Sequence, residues 1–96
     1  MNEERANGYI VRTPGVCGGS PRIDGSRIRV QDVSILYEEA GNTPEQMHEA
    51  FPTVTLAQIH AALAYYFDHR DAIHADIAEE KRFAEEFKRQ HPESVR

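Results

Sequence analysis

Apolar positions along this chain change their spacing near residue 32. Before it they come as short β-branched or aromatic pairs separated by glycine and proline, and after it they recur every three or four residues. Tyr9-Ile10-Val11-Arg12 reads as a short strand. The segment Thr13 to Pro21, with three glycines and two prolines, reads as a turn-rich loop. Arg22-Ile23 and Arg27-Ile28-Arg29-Val30 flank Asp24-Gly25-Ser26, and Asp-Gly between β-prone segments predicts a hairpin, since both residues tolerate positive φ. On its second strand Ile28 and Val30 face one way and Arg27 and Arg29 the other, so the arginines are expected on an outer face.

From Asp32 the helical period takes over. Val33, Leu36, Tyr37 and Ala40 mark one face of a first helix, and Gly41 stands where a left-handed C-terminal cap falls. Thr43-Pro44-Glu45-Gln46 combines a Thr N-cap, Pro in the first turn and Gln three residues after the cap. It opens a second helix over about Pro44–Phe51, with Met47, Ala50 and Phe51 inward. Thr55-Leu56-Ala57-Gln58 repeats the device and opens a third helix over Leu56–Phe67, with Leu56, Ile59, Leu63, Tyr66 and Phe67 on one stripe and Ala57, Gln58, Ala61, Ala64 and Tyr65 opposite. Asp68 reads as the N-cap of a fourth helix that ends near Gln90, before His91-Pro92. The second and third helices have the spacing of a helix-turn-helix pair. The expected fold is α+β and mostly helical, one domain over residues 1–96: a strand and hairpin region (9–30), a helix-turn-helix unit (32–67) and a C-terminal helix (68–90).

Composition narrows the function. With 96 residues, 40% hydrophobic and 28% charged, the chain has the make-up of a single globular domain. Sixteen acidic against 11 basic side chains give a net charge of −5, which argues against indiscriminate DNA binding. The balance is uneven: residues 1–30 carry five arginines against three acids, so a basic front meets an acidic back. A single cysteine, Cys17, excludes an internal disulfide and a multi-thiolate zinc site. No run approaches the ~20 apolar residues of a membrane helix, and the opening residues lack a secretory pattern. A cytoplasmic location is expected.

Several motifs carry a resemblance. Pro14-Gly15-Val16-Cys17-Gly18-Gly19, Pro21-Arg22-Ile23, Gly25 and Arg27-Ile28 resemble the opening signature of the bacterial family called domain of unknown function 433. Gly41, Thr43-Pro44-Glu45-Gln46, Phe51-Pro52 and Ala61 to Tyr66 continue it, so the likeness spans Tyr9 to Ile77. It implies a small helix-turn-helix protein, a VapB-like antitoxin encoded beside a PIN-like ribonuclease toxin. Such an antitoxin dimerises, masks the toxin and often represses its own operon.

Candidate residues follow from both readings. For DNA, the start of the third helix offers Thr53, Thr55 and Gln58 to base edges or phosphates. Its Leu56–Phe67 stretch has no Lys or Arg, so phosphate contacts fall to Arg22, Arg27 and Arg29, unless these pair with acids such as Asp32 or Glu38. For a protein partner, Ile73, Ile77, Ala84 and Phe87 form a stripe on the fourth helix with Phe83 beside it. That stripe packs on its own domain, on a dimer mate or on a toxin. Asp71, Asp76, Glu79 and Glu80 flank it and suit a basic partner, and the pairs Glu79–Arg82, Arg82–Glu86 and Glu85–Arg89 stand at helical spacing.

Catalysis finds little footing. The glycine loop lacks the Lys-Ser/Thr of a phosphate cradle. Cys17 has no histidine near it in sequence and reads as a small buried side chain. The five histidines include no metal-ligand spacing beyond the half-motif Glu45-x-x-His48. Consecutive acids such as Glu38-Glu39 diverge around a helix into solvent. The expectation is therefore a dimeric antitoxin with no catalytic residue, no metal and no cofactor, the alternative being a stand-alone helix-turn-helix transcriptional regulator.

Overall fold

The computed structural model describes residues 3–94. Three short antiparallel strands, β1 (Glu4–Arg5), β2 (Ile10–Arg12) and β3 (Arg22–Ile23), form a sheet with β2 in the middle. Four helices follow: α1 (Val30–Glu38), α2 (Pro44–Ala50), α3 (Leu56–Asp68) and α4 (Arg70–Gln90). The α+β, mostly helical architecture is the expected one.

The first hairpin is β1–β2. It turns on Asn7, whose side-chain oxygen accepts from the backbone N–H groups of Tyr9 and Ile10 at 2.8 and 2.9 Å. The expected strand over Arg27–Val30 does not form. Ile23 and Ile28 share one backbone bond, Val30 donates to Pro21, and the pairing is a single bridge, Arg22 with Arg29. Asp32 is the physical reason: its carboxylate takes the backbone N–H of Arg29 at 3.0 Å, caps the chain there and starts α1 at Val30, two residues before Asp32.

The helix ends follow local chemistry. In both α2 and α3 the threonine hydroxyl accepts from the glutamine N–H and the glutamine oxygen accepts from the threonine N–H: Thr43 with Gln46, and Thr55 with Gln58. Past α1, Gly41 takes φ +68 and Asn42 donates back to Leu36, the left-handed cap that favours glycine. Asp68 does not cap α4. The joint is His69 alone (φ −132, ψ 37), which ends α3 and begins α4 without a side-chain cap bond. Its N–H reaches the carbonyls of Tyr65 and Tyr66, and its ring stacks on Tyr65 at 4.0 Å.

Helix α3 is the centre of the molecule, packed against α1, α2 and α4 and against β2 and β3. Both sides of it are therefore covered. Ile59, Ala62, Leu63, Tyr65 and Tyr66 are buried, while Leu56 and Phe67 are partly exposed. Periodicity alone turns Tyr65 outward, and the structure corrects this. With the sheet against α3, the face behind the main stripe becomes interior, and Tyr65 lines grooves with Arg12 of β2. The shared core joins Ile10 and Ile23 of the sheet to Val30 and Val33 of α1, Met47 of α2, Val54, Ile59, Ala62 and Tyr66, and Ile73 of α4. Ile59 has no exposure. Replacing it with Ala is expected to cost about 3 kcal/mol, measured by urea unfolding monitored by circular dichroism; a loss below about 1 kcal/mol contradicts this packing.

Candidate functional site

Two polar clamps hold the first half of α4 to the body, and between them sit Ile73, buried in the core, and Ile77, half-buried against it. The first clamp joins three helices. Tyr66 of α3 donates its hydroxyl to Glu38 of α1 at 2.6 Å, and His74 Nε2 of α4 lies 2.8 Å from the same hydroxyl oxygen. With the tyrosine proton on Glu38, the imidazole donates to the phenol oxygen. Arg70 of α4 donates to the same Glu38 oxygen at 3.2 Å and lies over the Tyr66 ring. A cleft of about 260 Å³ opens beside this cluster, lined also by Ser34, Glu39, Ile77 and Lys81.

The second clamp centres on Arg29. Its guanidinium binds Asp32 through Nη2 at 2.8 Å and Nε at 3.2 Å, and reaches Glu80 of α4 through Nη1 at 3.2 Å. Gln31 donates to the same Glu80 carboxylate at 2.5 Å. The hydrogen bonds from Arg29 to Asp32 raise the guanidinium pKa above its ordinary value; burial opposes this, and the charges of Asp32 and Glu80 reinforce it. A groove of about 500 Å³ runs beside this clamp, bounded by Arg12, Gln31, Tyr65, Ile73, Glu79 and Phe83.

Beyond Glu80 the helix leaves the body. Every residue from Lys81 to Gln90 is exposed. Phe83 is 73% exposed and Phe87 47%, with Ala84 exposed between them. Phe87 packs only loosely on His91, at 4.5 Å between rings, and Arg89 pairs with Glu86, not with Glu85. Ile73 thus leaves the set of candidate partner-binding residues: it is core, because the helix is wrapped by the body at that point. The apolar stripe divides, Ile73 and Ile77 facing inward and Phe83, Ala84 and Phe87 facing solvent.

The candidate DNA set does not come together as one outer face. Arg22 is 8% exposed and donates to the Ser26 carbonyl at 3.1 Å and the Thr13 hydroxyl at 2.8 Å. Its place in the sheet edge, between buried Pro21 and Ile23, turns it inward. Arg29 serves the second clamp. Thr55 and Gln58 bind each other in the α3 cap. Arg27 and Thr53 are exposed, and Arg27 borders a groove with Leu36 and Phe51. Among the described residues no group of three or more His, Cys, Asp or Glu side chains is placed to hold a metal ion, and no helix is long and apolar enough to cross a membrane. Cys17 is half-buried at φ +51, its thiol 3.7 Å from the Arg27 carbonyl.

The architecture defines a small α+β domain, a three-stranded antiparallel sheet followed by four helices, with the outer half of the last helix exposed. The family model described as "Protein of unknown function (DUF433)" matches residues 10–66, and the chain belongs to that family. It is similar to a DUF433 member protein from Anabaena variabilis ATCC 29413 solved by crystallography, at 34% identity and a TM-score of 0.64, over 73% of this chain and 68% of that one. A comparison with curated proteins finds no match.

The first clamp has a pH signature. Burial, then the hydrogen bond to Glu38, raises the Tyr66 pKa, so the folded state holds the phenol proton more tightly than the unfolded chain. This contribution is complete below the unfolded value of about 10 and falls as pH rises through the folded value. In urea melts, the wild type is expected to lose stability more steeply above about pH 10 than Tyr66→Phe, which at neutral pH is expected to be about 1 kcal/mol less stable. Parallel pH profiles for the two proteins contradict the assignment.

Proposed function

We propose that this protein is a non-enzymatic binding module that acts as the antitoxin of a type II toxin-antitoxin pair, covering a PIN-like ribonuclease with the outer half of α4. The observation that carries this reading is the exposed run Lys81–Gln90, which presents Phe83 and Phe87 to solvent. Large exposed apolar side chains grouped on one face mark an interaction surface. At 100° per residue, the helix positions closest to Phe83 in the turns around it are Asp76, Glu79, Glu80, Glu86, Phe87 and Gln90. Two aromatic anchors beside the carboxylates of Asp76 and Glu79, with Glu80 held in the clamp and Glu86 paired to Arg89, suit a groove that is basic because it binds RNA, the two carboxylates standing where phosphates lie in the substrate complex. Inhibition is steric, needs no cofactor or metal, and fits the cytoplasm where such a ribonuclease works. The family resemblance supports the choice of toxin; the geometry supports the choice of helix.

Repression of its own operon is the second activity, and the α2–α3 pair together with exposed Arg27 and Thr53 favours it. The engagement of Arg22 and Arg29 within the fold leaves a small phosphate-binding set, so DNA binding is expected to be weak and steep in salt.

Coexpression with the product of the adjacent gene tests the first reading. Phe83→Ala/Phe87→Ala is expected to weaken the complex at least about tenfold and to release the toxin's growth arrest, with an unchanged Tm because both side chains are exposed. Full neutralisation by the double variant moves the interface elsewhere. The absence of any complex with the neighbouring product removes the antitoxin reading. For DNA, Arg27→Ala is expected to lower the slope of log affinity against log salt by about 1; an unchanged slope excludes Arg27 as a phosphate contact.

A further inference from the structure

The groove of about 500 Å³ beside the Arg29 clamp holds polar groups that the fold does not use. One wall is a single face of α4, where Ile73, Asp76, Glu79, Glu80 and Phe83 follow at helical spacing over about 15 Å. The other is built from Arg12 of β2, Gln31 of α1 and Tyr65 of α3. Tyr65 is 9% exposed and Gln31 5%. Yet among the described residues the Tyr65 hydroxyl makes no hydrogen bond, and Gln31 uses only its amide nitrogen, on Glu80. Among those residues the one side-chain nitrogen or oxygen that is both sealed from solvent and unbonded is Arg22 Nε. The Tyr65 hydroxyl and Gln31 Oε1 therefore open into the groove they line. A polar atom left unpaired on a side chain so deeply buried is costly until water or a ligand answers it.

The charges in the groove are of both signs, and they stand on different walls. Arg29 and Glu80 neutralise each other in the clamp. Arg12 donates through Nε to the Gly19 carbonyl at 3.1 Å, which fixes its guanidinium. Its ion-pair partner among the described residues, Glu4, stands 4.0 Å from Nη1. The Nη edge is thus free for a carboxylate, which a guanidinium fork binds through two parallel bonds, and the Tyr65 hydroxyl adds a donor. On the α4 wall Asp76 and Glu79 are exposed and form no ion pair among the described residues. Phe83 lies one turn beyond Glu79, and an aromatic face beside carboxylates takes a flat cation.

We propose that this groove binds a small zwitterion of the arginine class. Its carboxylate meets Arg12 and the Tyr65 hydroxyl, its ammonium donates to Gln31 Oε1, and its guanidinium lies among Asp76, Glu79 and Phe83. One cationic and two anionic side chains in the groove balance a ligand with two cationic groups and one anionic group. Arg12 disfavours a plain polycation, and Asp76 and Glu79 disfavour an anion. The volume lies within the range of about 300–1,000 Å³ that small-molecule sites occupy.

Asp76 and Glu79 serve both this site and the surface offered to the toxin, so a filled groove and a bound toxin compete. The site is tested on the full chain alone, by titration with L-arginine at low salt followed through amide chemical shifts in NMR. Saturable shifts are expected at Arg12, Gln31 and Asp76, with a dissociation constant of about 1 mM or tighter. Agmatine, which lacks the carboxylate, and L-citrulline, which lacks the guanidinium charge, are each expected to bind at least about tenfold more weakly. Tyr65→Phe is expected to keep the wild-type Tm, because the lost hydroxyl bonds nothing within the fold, and to raise the dissociation constant for L-arginine at least about threefold. The absence of saturable shifts, agmatine or citrulline binding as tightly as arginine, or a Tyr65→Phe protein that melts lower or keeps the wild-type constant overturns the proposal. Because the titration contains no toxin, its failure leaves the α4 reading intact, and failure of the coexpression assay leaves this site intact.

Discussion

A single carboxylate ties the helices together. Glu38 ends α1 and accepts two donors at one oxygen, the Tyr66 hydroxyl from α3 and the Arg70 guanidinium from α4. Tyr66 is fully buried, so its hydroxyl has no water to fall back on and depends on Glu38 and His74. The Glu38 side chain, by contrast, keeps 37% of its surface exposed, so its charge is not stranded in a dry interior. This division, a neutral hydroxyl inside and a charge at the rim, lets α4 be anchored by polar contacts at low desolvation cost. Ile73 supplies the apolar part of the anchorage, and Glu80, across from Arg29 and Gln31, marks where it stops.

The helices and their ends were legible because capping is local. Thr-x-x-Gln written twice, Pro44 after Thr43 and Gly41 after α1 each act within one turn, and each is found where the residues place it. What escaped sequence reading depends on contacts between distant segments. Strand β1 is Glu4-Arg5, which carries no apolar signal; the clue was Asn7-Gly8, a tight-turn pair just ahead of Ile10. The Arg27–Val30 strand gave way to a helix because one side chain, Asp32, offered the backbone a better partner. Tyr65 read as outward because periodicity describes one wet and one dry face, and α3 has sheet on the side that would otherwise be wet.

The candidate sites divide in the same way. Helical spacing puts Ile73, Ile77, Ala84 and Phe87 on one stripe with Phe83 beside it, yet periodicity along a helix does not reveal where the body beneath it ends, so core Ile73 and exposed Phe83 look alike in sequence. The arginines failed as a set because sequence does not tell a phosphate-binding guanidinium from one that closes a structural network. Arg22 and Arg29 are of the second kind. Their positive charge is engaged within the fold, Arg29 by Asp32 and Glu80 and Arg22 by the Ser26 carbonyl and the Thr13 hydroxyl, and is not presented as a surface for nucleic acid.

The joint at His69 bears on how α4 meets anything at all. With one residue between α3 and α4, and that residue's ring stacked on Tyr65 while its carbonyl accepts from Ile73, there is no flexible hinge through which the arm could search. Its direction is set before encounter. A tail that orders itself on contact gives up several kcal/mol of conformational entropy and in return wraps a variety of shapes; a preset rod keeps that free energy but fits only a groove of matching direction. The geometry of this one residue therefore trades breadth of recognition for economy of binding, and it ties selectivity to the angle between two helices.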